Sequence, residues 1–504
     1  MSSVQPVDVT PRTPDAGVAF QQCIHPSCAA RYPVHRVLTA CPSCGSLLDV
    51  GYDWAANTPR DFRLFELRSG TRGSREAAGL AATRAALDFS GVWRFRDLLP
   101  FYEDETQIVT VGEGRTNLQR ADQLACELGF DLENGGRLFL QYEGFNPSGS
   151  FKDNGMCAAF THARMVNAQR VACASTGNTS ASLAMYAALA GIACYVFIGE
   201  GKIAYGKLSQ ALEYGAKTLQ VAGDFDACLA RVREIADTRP ELGVYLMNSV
   251  NPFRLEGQKT IMYRILEGLD WEPPDWIIVP GGNLGNSSAF GKAFAELKAL
   301  GLIQKIPRLA VINAHGARTL DRMVNELGVK WRVPGREPGD FDHAAVDAEF
   351  RRMDAAGERA HTVASAIEIN RPVNLSKCLR ALDVMDGVVR SFDDETIVEH
   401  KALVGRWGFG CEPASGASVA GARALMREGL IAPTDTVACV LTGHLLKDPD
   451  VTVGYHTGID TKAVQADMSA RGVGATPTGR HSNRPVRVAD ELEAIIAAMG
   501  IVSA

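Results

Sequence analysis

The sequence predicts an α/β protein made of two parallel-sheet-based domains behind a small cysteine-bearing N-terminal appendage. Three observations carry this: from Arg137 onward short apolar runs alternate with helical stretches, the chain has 504 residues, and four cysteines crowd between Cys23 and Cys44. A single core stops growing near ~250–300 residues, so at least two are expected. Parallel strands need helical crossovers, so strand–helix alternation implies parallel sheets covered on both faces.

Residues 1–20, rich in Pro, Thr, Asp and Ser, are expected to be a mobile arm. Residues 21–57 hold the cysteines; 58–153 together with 248–504 are assigned to a larger domain, and 154–247 to a smaller one. The strand candidates are Leu138–Tyr142, Val171–Ala174, Ala193–Ile198, Thr218–Val221, Val244–Met247, Trp276–Val279, Leu309–Ile312 and Val437–Leu441. The apolar run Ala181–Ile198 approaches the length of a membrane span, but Gly191 splits it into a helix and a β-branched, aromatic strand. Lys330–Ala360, with Pro334-Gly335 and Pro338-Gly339, reads as a surface insertion, and the tail past Asp467 as loose until a helix from about Ala489.

With 22% charged residues, a net charge of −6 and a pI near 6.0, the chain offers no broad basic surface for nucleic acid or anionic lipid. Any partner is expected to be a small molecule or a second copy. The N-terminus lacks a signal-peptide shape, which places the protein in the cytoplasm. The eight cysteines outside the cluster read as small core residues, not a disulfide scaffold.

Four segments at strand-to-helix junctions carry chemistry. Asn146–Gly155 (NPSGSFKDNG) puts Lys152 just inside a helix, where the positive end of the dipole favours the neutral amine that attacks an aldehyde. Ser175–Ser180 (STGNTS) offers backbone donors and hydroxyls to a carboxylate or phosphate. Pro280–Ser288 (PGGNLGNSS) lets backbone approach a ligand at a helix N-terminus, with neither the dinucleotide nor the Walker spacing. Leu441–Pro449 (LTGHLLKDP) supplies Thr442, a hydroxyl able to bond a heterocycle nitrogen without giving it a full counter-charge. Taken singly, each also reads as a helix cap or a solvated first turn.

Together and in this order, over roughly Gly91 to His456, they resemble the fold type II (β-family, tryptophan synthase β-like) pyridoxal 5′-phosphate enzymes and, within them, the threonine synthase family. The resemblance implies that Lys152 holds the cofactor as a Schiff base with Phe151 beside the ring, and that Asn178 holds its hydroxyl. It further implies that Gly281, Gly282, Asn283, Leu284 and Gly285 hold its phosphate, and that Thr442 faces its pyridine nitrogen. The backbone and hydroxyls of Ser175, Thr176, Gly177 and Thr179 would bind a substrate carboxylate. Asn248–Thr260 (NSVNPFRLEGQKT) looks like the segment that grips a substrate phosphate, through Asn248, Ser249 and Arg254. Gly112–Gly114 followed by Thr116 also fits, though Asn117 replaces a proline and Leu445 a glycine, departures that touch loop shape. The implied reaction turns O-phosphohomoserine and water into threonine and phosphate. Rivals are a cysteate synthase using O-phosphoserine and sulfite, a threonine/serine dehydratase, and a non-enzymatic binding or regulatory protein that kept the fold. A homodimer is implied by resemblance alone.

Cys23, Cys28, Cys41 and Cys44 form C-x4-C-x12-C-x2-C, which resembles a zinc ribbon because two paired thiolates make the tetrahedral sulfur set zinc favours. Unligated cysteines and a rubredoxin-like iron site are the alternatives. Between them the basic side chains besides the histidines are Arg31 and Arg36, too few for a nucleic-acid footprint.

Overall fold

A computed structural model describes residues 18–55, 61–77, 79, 85–175, 177–199, 205–222, 225–339, 341–457, 479–483, 486 and 488–499. β1 (Ala19–Cys23), β2 (Arg31–Pro33) and β3 (Leu48–Tyr52) form an antiparallel sheet in the order β2-β1-β3. They are followed by β4 (Asn117–Arg120), β5 (Arg137–Tyr142), β6 (Arg170–Ala174), β7 (Ala193–Gly199), β8 (Lys217–Val221), β9 (Val244–Leu246), β10 (Trp276–Pro280), β11 (Arg308–Ala314), β12 (Val388–Phe392) and β13 (Thr436–Leu441). A six-stranded sheet has the order β12-β11-β10-β13-β5-β4 and a four-stranded one β8-β7-β6-β9. All pairings are parallel except β4 against β5. The architecture is thus the predicted α/β one, and each of the eight strand candidates is a strand.

The central strands are wholly apolar because helices cover both faces: β10 is buried at all five positions and β13 at every position after Thr436. The run around Gly191 divides as its periodicity predicts. The helix Asn178–Ala190 stops at Gly191, whose φ of +66° a residue without Cβ adopts freely, and β7 begins two residues later. Among the described residues no helix is long and apolar enough to cross a bilayer.

Two expectations need correction. β1 starts at Ala19, inside the stretch assigned to the mobile arm, while residues 1–17 lie outside the described ones. The segment Lys330–Ala360 is not a mere surface insertion, since its helix His343–Ala355 presents Val346 and Phe350 to the main core, beside Trp331 and Phe341, with Met353 also buried at helical spacing from them. The tail from Asp467 to residue 478 lies outside the described residues, and a helix follows at Leu492–Ala498.

Helices Lys152–Met165 and Pro252–Glu267 cross at the centre with almost no separation, because two glycines meet there. A Cβ on Gly257 would stand 1.8 Å from the Asn154 carbonyl oxygen, and one on Gly155 2.8 Å from that of Arg254. The contact is backbone on backbone, so neither side has a flexible atom to withdraw. Gly257→Ala is therefore expected to cost about 1–3 kcal/mol or more through forced separation of the helices, seen as a lower denaturation midpoint; an unchanged midpoint would contradict the crossing.

The N-terminal sheet is keyed into this core. Lys377 Nζ donates to Leu48 O (2.6 Å) and pairs with Asp49 (2.9 Å), and Tyr52 OH donates to Glu256 Oε2 (2.5 Å). His162, stacked on Phe253 at 3.5 Å between ring centroids, meets Val34 O through Nε2 (2.6 Å).

Candidate active site

In α/β sheets ligands bind beyond the carboxyl ends of the strands. β5, β10 and β13 lie parallel in one sheet and there give way to the loops carrying Lys152, Gly281–Gly285 and Thr442, while β6 of the other sheet leads to Ser175 and Asn178. Backbone joins the first of these to the third: Phe151 N–H donates to Thr442 O (3.0 Å), and Ser150 bridges Gly443.

Lys152 is the first residue of its helix, with its Nζ 3.9 Å from the Phe151 ring centroid. The residue is half-buried, yet its amine is desolvated. Burial first, then the nearby Arg254 guanidinium, push its pKa down to about 7 against the opposing pull of Glu412. A neutral, nucleophilic amine is thereby accessible near physiological pH. Asp153, the next residue, is fully buried and accepts from Ser148 N (2.7 Å), Ser148 Oγ (2.5 Å) and Ser182 Oγ (2.5 Å). Burial raises it to about 6 despite those hydrogen bonds. It pins the turn before Lys152 to the helix that starts at Asn178.

The glycine segment forms a cradle that side chains would fill. A Cβ on Gly281 would lie 2.6 Å from Val311 Cγ1, and one on Gly282 3.0 Å from Ile367 Cα. Leu284 caps the helix Gly285–Ala299 with φ +63°, a left-handed conformation held by burial, so the first-turn amides of that helix face out of the loop. Asn283 commits its Oδ1 to Val373 N (3.2 Å). Asn374, which the sequence reading did not single out, donates to both Asn283 O (3.3 Å) and Ser249 O (3.1 Å) and joins this cradle to the Asn248–Thr260 segment.

Arg254 is 2% exposed, and among the described residues it makes no ion pair. Its Nη1 donates to Met247 O (2.6 Å), Nε has no partner, and burial lowers its pKa to about 10. Ser249 Oγ and Gln258 Oε1 are likewise buried without partners. A desolvated guanidinium lacking a counter-charge is costly unless an anion joins it, so this corner is built for one. Asn248 is differently occupied: its Oδ1 accepts from Ala174 N and its Nδ2 donates to Ala174 O, both at 3.0 Å, so it fastens the end of β6 instead of facing the anion corner. Ser175 Oγ accepts from Gly177 N (3.1 Å), and Thr179 lies in the first turn of the following helix. Thr176 lies outside the described residues.

Thr442 and Asn178 meet a residue the sequence reading missed. Glu412, buried just before the helix Pro413–Arg427, accepts from Thr442 Oγ1 through Oε1 (2.7 Å) and from Asn178 Nδ2 through Oε2 (2.9 Å). An acid directly before a helix-starting proline was its available signal. At the rim, Glu113 of the Gly112–Gly114 loop is buried and accepts from Ser90 Oγ (2.5 Å), Thr110 Oγ1 (2.8 Å) and Tyr186 OH (2.7 Å), while Thr116 Oγ1 donates to Glu143 (2.9 Å). Leu445 packs over Gly410.

A buried-amine lysine at a helix start and a glycine loop opening a second helix, both following strands of one sheet, are the arrangement expected of the pyridoxal-phosphate class, and residues 109–443 match the family described as "Pyridoxal-phosphate dependent enzyme". The chain is 39% identical over 435 residues to the threonine synthase of Methanocaldococcus jannaschii, covering 86% of this chain and 94% of that one. It is 41% identical over 360 residues to the threonine synthase of Mycobacterium tuberculosis strain H37Rv, covering 71% of this chain and 89% of that one. A fungal L-serine ammonia-lyase from Rhizomucor miehei superposes with a TM-score of 0.51 over 65% of this chain and 93% of its own, at 18% identity, and shares the fold. The chain belongs to the threonine synthase family of fold type II pyridoxal-phosphate-dependent enzymes.

The four clustered cysteines have all sulfurs within 4.8 Å of one another. Cys23 and Cys44 are 3.4 Å apart and Cys28 and Cys41 3.8 Å. Tetrahedral zinc with Zn–S near 2.3 Å separates its sulfurs by about 3.8 Å, so the set fits that ion. His25 turns its ring toward His343 and is not part of the cluster.

Proposed function

We propose that this chain converts O-phospho-L-homoserine and water to L-threonine and inorganic phosphate, with pyridoxal phosphate attached at Lys152. The observation that carries the choice of substrate is Arg254, a buried guanidinium without a counter-charge close enough to Lys152 to lower its pKa. A substrate bearing its own phosphate beside the reacting amine supplies the missing anion, and the names of the relatives agree.

The cleft fits the cofactor, since the amide cradle at Gly281–Gly285 excludes side chains and leaves donors for a phosphate. Bound there, pyridoxal phosphate supplies an electron sink that acidifies protons next to the substrate amine. The protein's own groups do the rest. Lys152 Nζ takes the α-proton and serves again as protons leave the β-carbon and arrive at the γ-carbon, for which a pKa near 7 is suited. Arg254 and Ser249 hold the phosphate that departs, with Asn248 fixing the backbone beneath them. Gly177, Thr179, Ser175 and Thr176 orient the carboxylate, and Asn178 and Thr442 take the two polar edges of the ring. The four-stranded unit, with its boundaries near 154 and 247, closes over the substrate and excludes water until phosphate has left.

Purified protein given O-phosphohomoserine is expected to release threonine and phosphate in equal amounts. Cysteate from O-phosphoserine and sulfite, or an oxo acid from threonine or serine, as the productive outcome would replace this reading with one of its rivals.

Zinc at Cys23, Cys28, Cys41 and Cys44 is part of the proposal, supported by the sulfur spacing, with a structural role because four thiolates leave no open position. Metal analysis is expected to return one zinc per chain, and stripping it to loosen the contacts of Tyr52 and Lys377 and lower thermal stability. Metal-free protein of unchanged stability would contradict it. A homodimer is the setting we infer, on family resemblance.

A further inference from the structure

Glu412 is a fully buried carboxyl group in the cleft for which the reaction outlined above has no use. Its surroundings are made to measure. A Cβ on Gly443 would fall 2.5 Å from both the Glu412 Cδ and Oε1 and 2.7 Å from Oε2, so the carboxylate occupies the space a side chain there would take. Its main chain is anchored independently, Glu412 N–H donating to Gly443 O (3.0 Å). The side chain is thus free to serve the two residues it touches, Thr442 just past the end of β13 and Asn178 at the start of the helix that follows β6.

The hydrogen-bond inventory makes this contact directional. A hydroxyl has one proton and a carboxylate none. With Asn178 Nδ2 donating to Oε2 and Thr442 Oγ1 donating to Oε1, the Thr442 proton is committed to Glu412, and its oxygen presents lone pairs elsewhere. Ser415 Oγ, 3.1 Å from Thr442 Oγ1, accepts from Thr442 N (2.8 Å) and holds the threonine from the other side. Burial, countered by the Asn178 and Thr442 hydrogen bonds, raises the Glu412 pKa, so the charge that fixes this pattern is held at a cost and is sensitive to its two donors.

We propose that Glu412 is a positioning residue that fixes which way the Thr442 hydroxyl points, and through it the hydrogen bond offered to the ring nitrogen of bound pyridoxal phosphate, while tying that setting to Asn178 at the start of the helix that follows β6. The inference rests on the reading that Lys152 carries the cofactor and Thr442 faces its nitrogen.

Glu412→Gln keeps size and shape but has one acceptor and one donor. With the amide oxygen still taking Asn178, the amide nitrogen must donate to Thr442, whose proton then turns toward the ring. The test uses full-length protein loaded with cofactor labelled with nitrogen-15 in its ring. Wild type, Glu412→Gln, Thr442→Val and the double variant are compared by the ring-nitrogen resonance, by kcat and KM, and by thermal midpoint. The expected result is that Glu412→Gln still carries cofactor reducible onto Lys152 and melts like the wild type. Its ring-nitrogen resonance shifts toward the unprotonated position, and kcat falls about 10-fold or more, within the range of coupled neighbours, with KM changed less than about threefold. In the double variant the two effects do not add, since both act through one hydroxyl. A wild-type resonance with wild-type kcat in Glu412→Gln, or full additivity in the double variant, overturns the proposal. Should Glu412→Gln fail to fold, Thr442→Val must by itself displace the resonance, and a wild-type signal there overturns it equally. If wild-type protein carries no cofactor on Lys152, it is the underlying functional reading that fails, and the inference with it.

Discussion

Lys152→Ala protein is expected to fold, to lose covalently held cofactor, and to lose about 10,000-fold or more in kcat/KM, measured by phosphate release from O-phosphohomoserine. The size follows from the number of duties on one amine: it anchors the cofactor and handles successive protons, and general acid–base transfer alone contributes about 100- to 10,000-fold. No neighbour can substitute. Lys447 is engaged with Gln210 Oε1, and Arg254 stays protonated at working pH, its pKa being lowered only to about 10. The helix should survive, because alanine favours helices and removal of a desolvated amine relieves a cost. A variant retaining more than about a hundredth of wild-type activity would remove Lys152 from the centre of the mechanism.

Arg254→Met should separate stability from activity. Truncating one partner of a buried, hydrogen-bonded charge pair costs about 2–5 kcal/mol of binding, so kcat/KM for O-phosphohomoserine is expected to fall by about 30-fold to a few thousandfold. The same change in the substrate-free protein deletes a buried charge that no carboxylate among the described residues balances, and replacing such a charge by an apolar chain of similar length stabilises. Activity falls while the thermal midpoint holds or rises. The sign for Lys152 follows from its causes. Arg254 is the second contributor lowering that pKa, so without it the amine stays protonated to higher pH, and half-maximal cofactor uptake moves above about 7. A fall in stability with substrate affinity intact would mean that Arg254 is a packing residue.

In the two parallel-based sheets the strands that escaped sequence reading are β4 and β12, the two edges of the six-stranded sheet. An edge strand covers less core and tolerates polar side chains, and Gln119, Arg120, Arg390 and Ser391 break the apolar runs by which inner strands announce themselves. Burial on both faces made β10 and β13 plain for the complementary reason. The insertion was misjudged because Pro334-Gly335 and Pro338-Gly339 drew attention from the stripe Val346, Phe350, Met353 just beyond them.

Within the site, the residues legible beforehand are those that backbone shape demands: a lysine after a tight turn, glycines where a Cβ collides, a threonine at a strand end. Glu412, Asn374 and Gln258 were not legible, since their meaning lies in which distant loop they touch. Asn374 joins Asn283 to Ser249 across more than ninety residues, a relation no local spacing encodes. Asn248 shows the converse: the segment was legible, yet only three-dimensional contact reveals that its amide is used on Ala174.

The most direct measurement is borohydride reduction of the vitamin-loaded protein followed by peptide mass spectrometry. A single pyridoxyl-phosphate adduct on Lys152 is the result predicted by a desolvated amine held near pKa 7 at its helix start. An adduct on another lysine, or an unmodified Lys152 in saturated protein, would contradict the account.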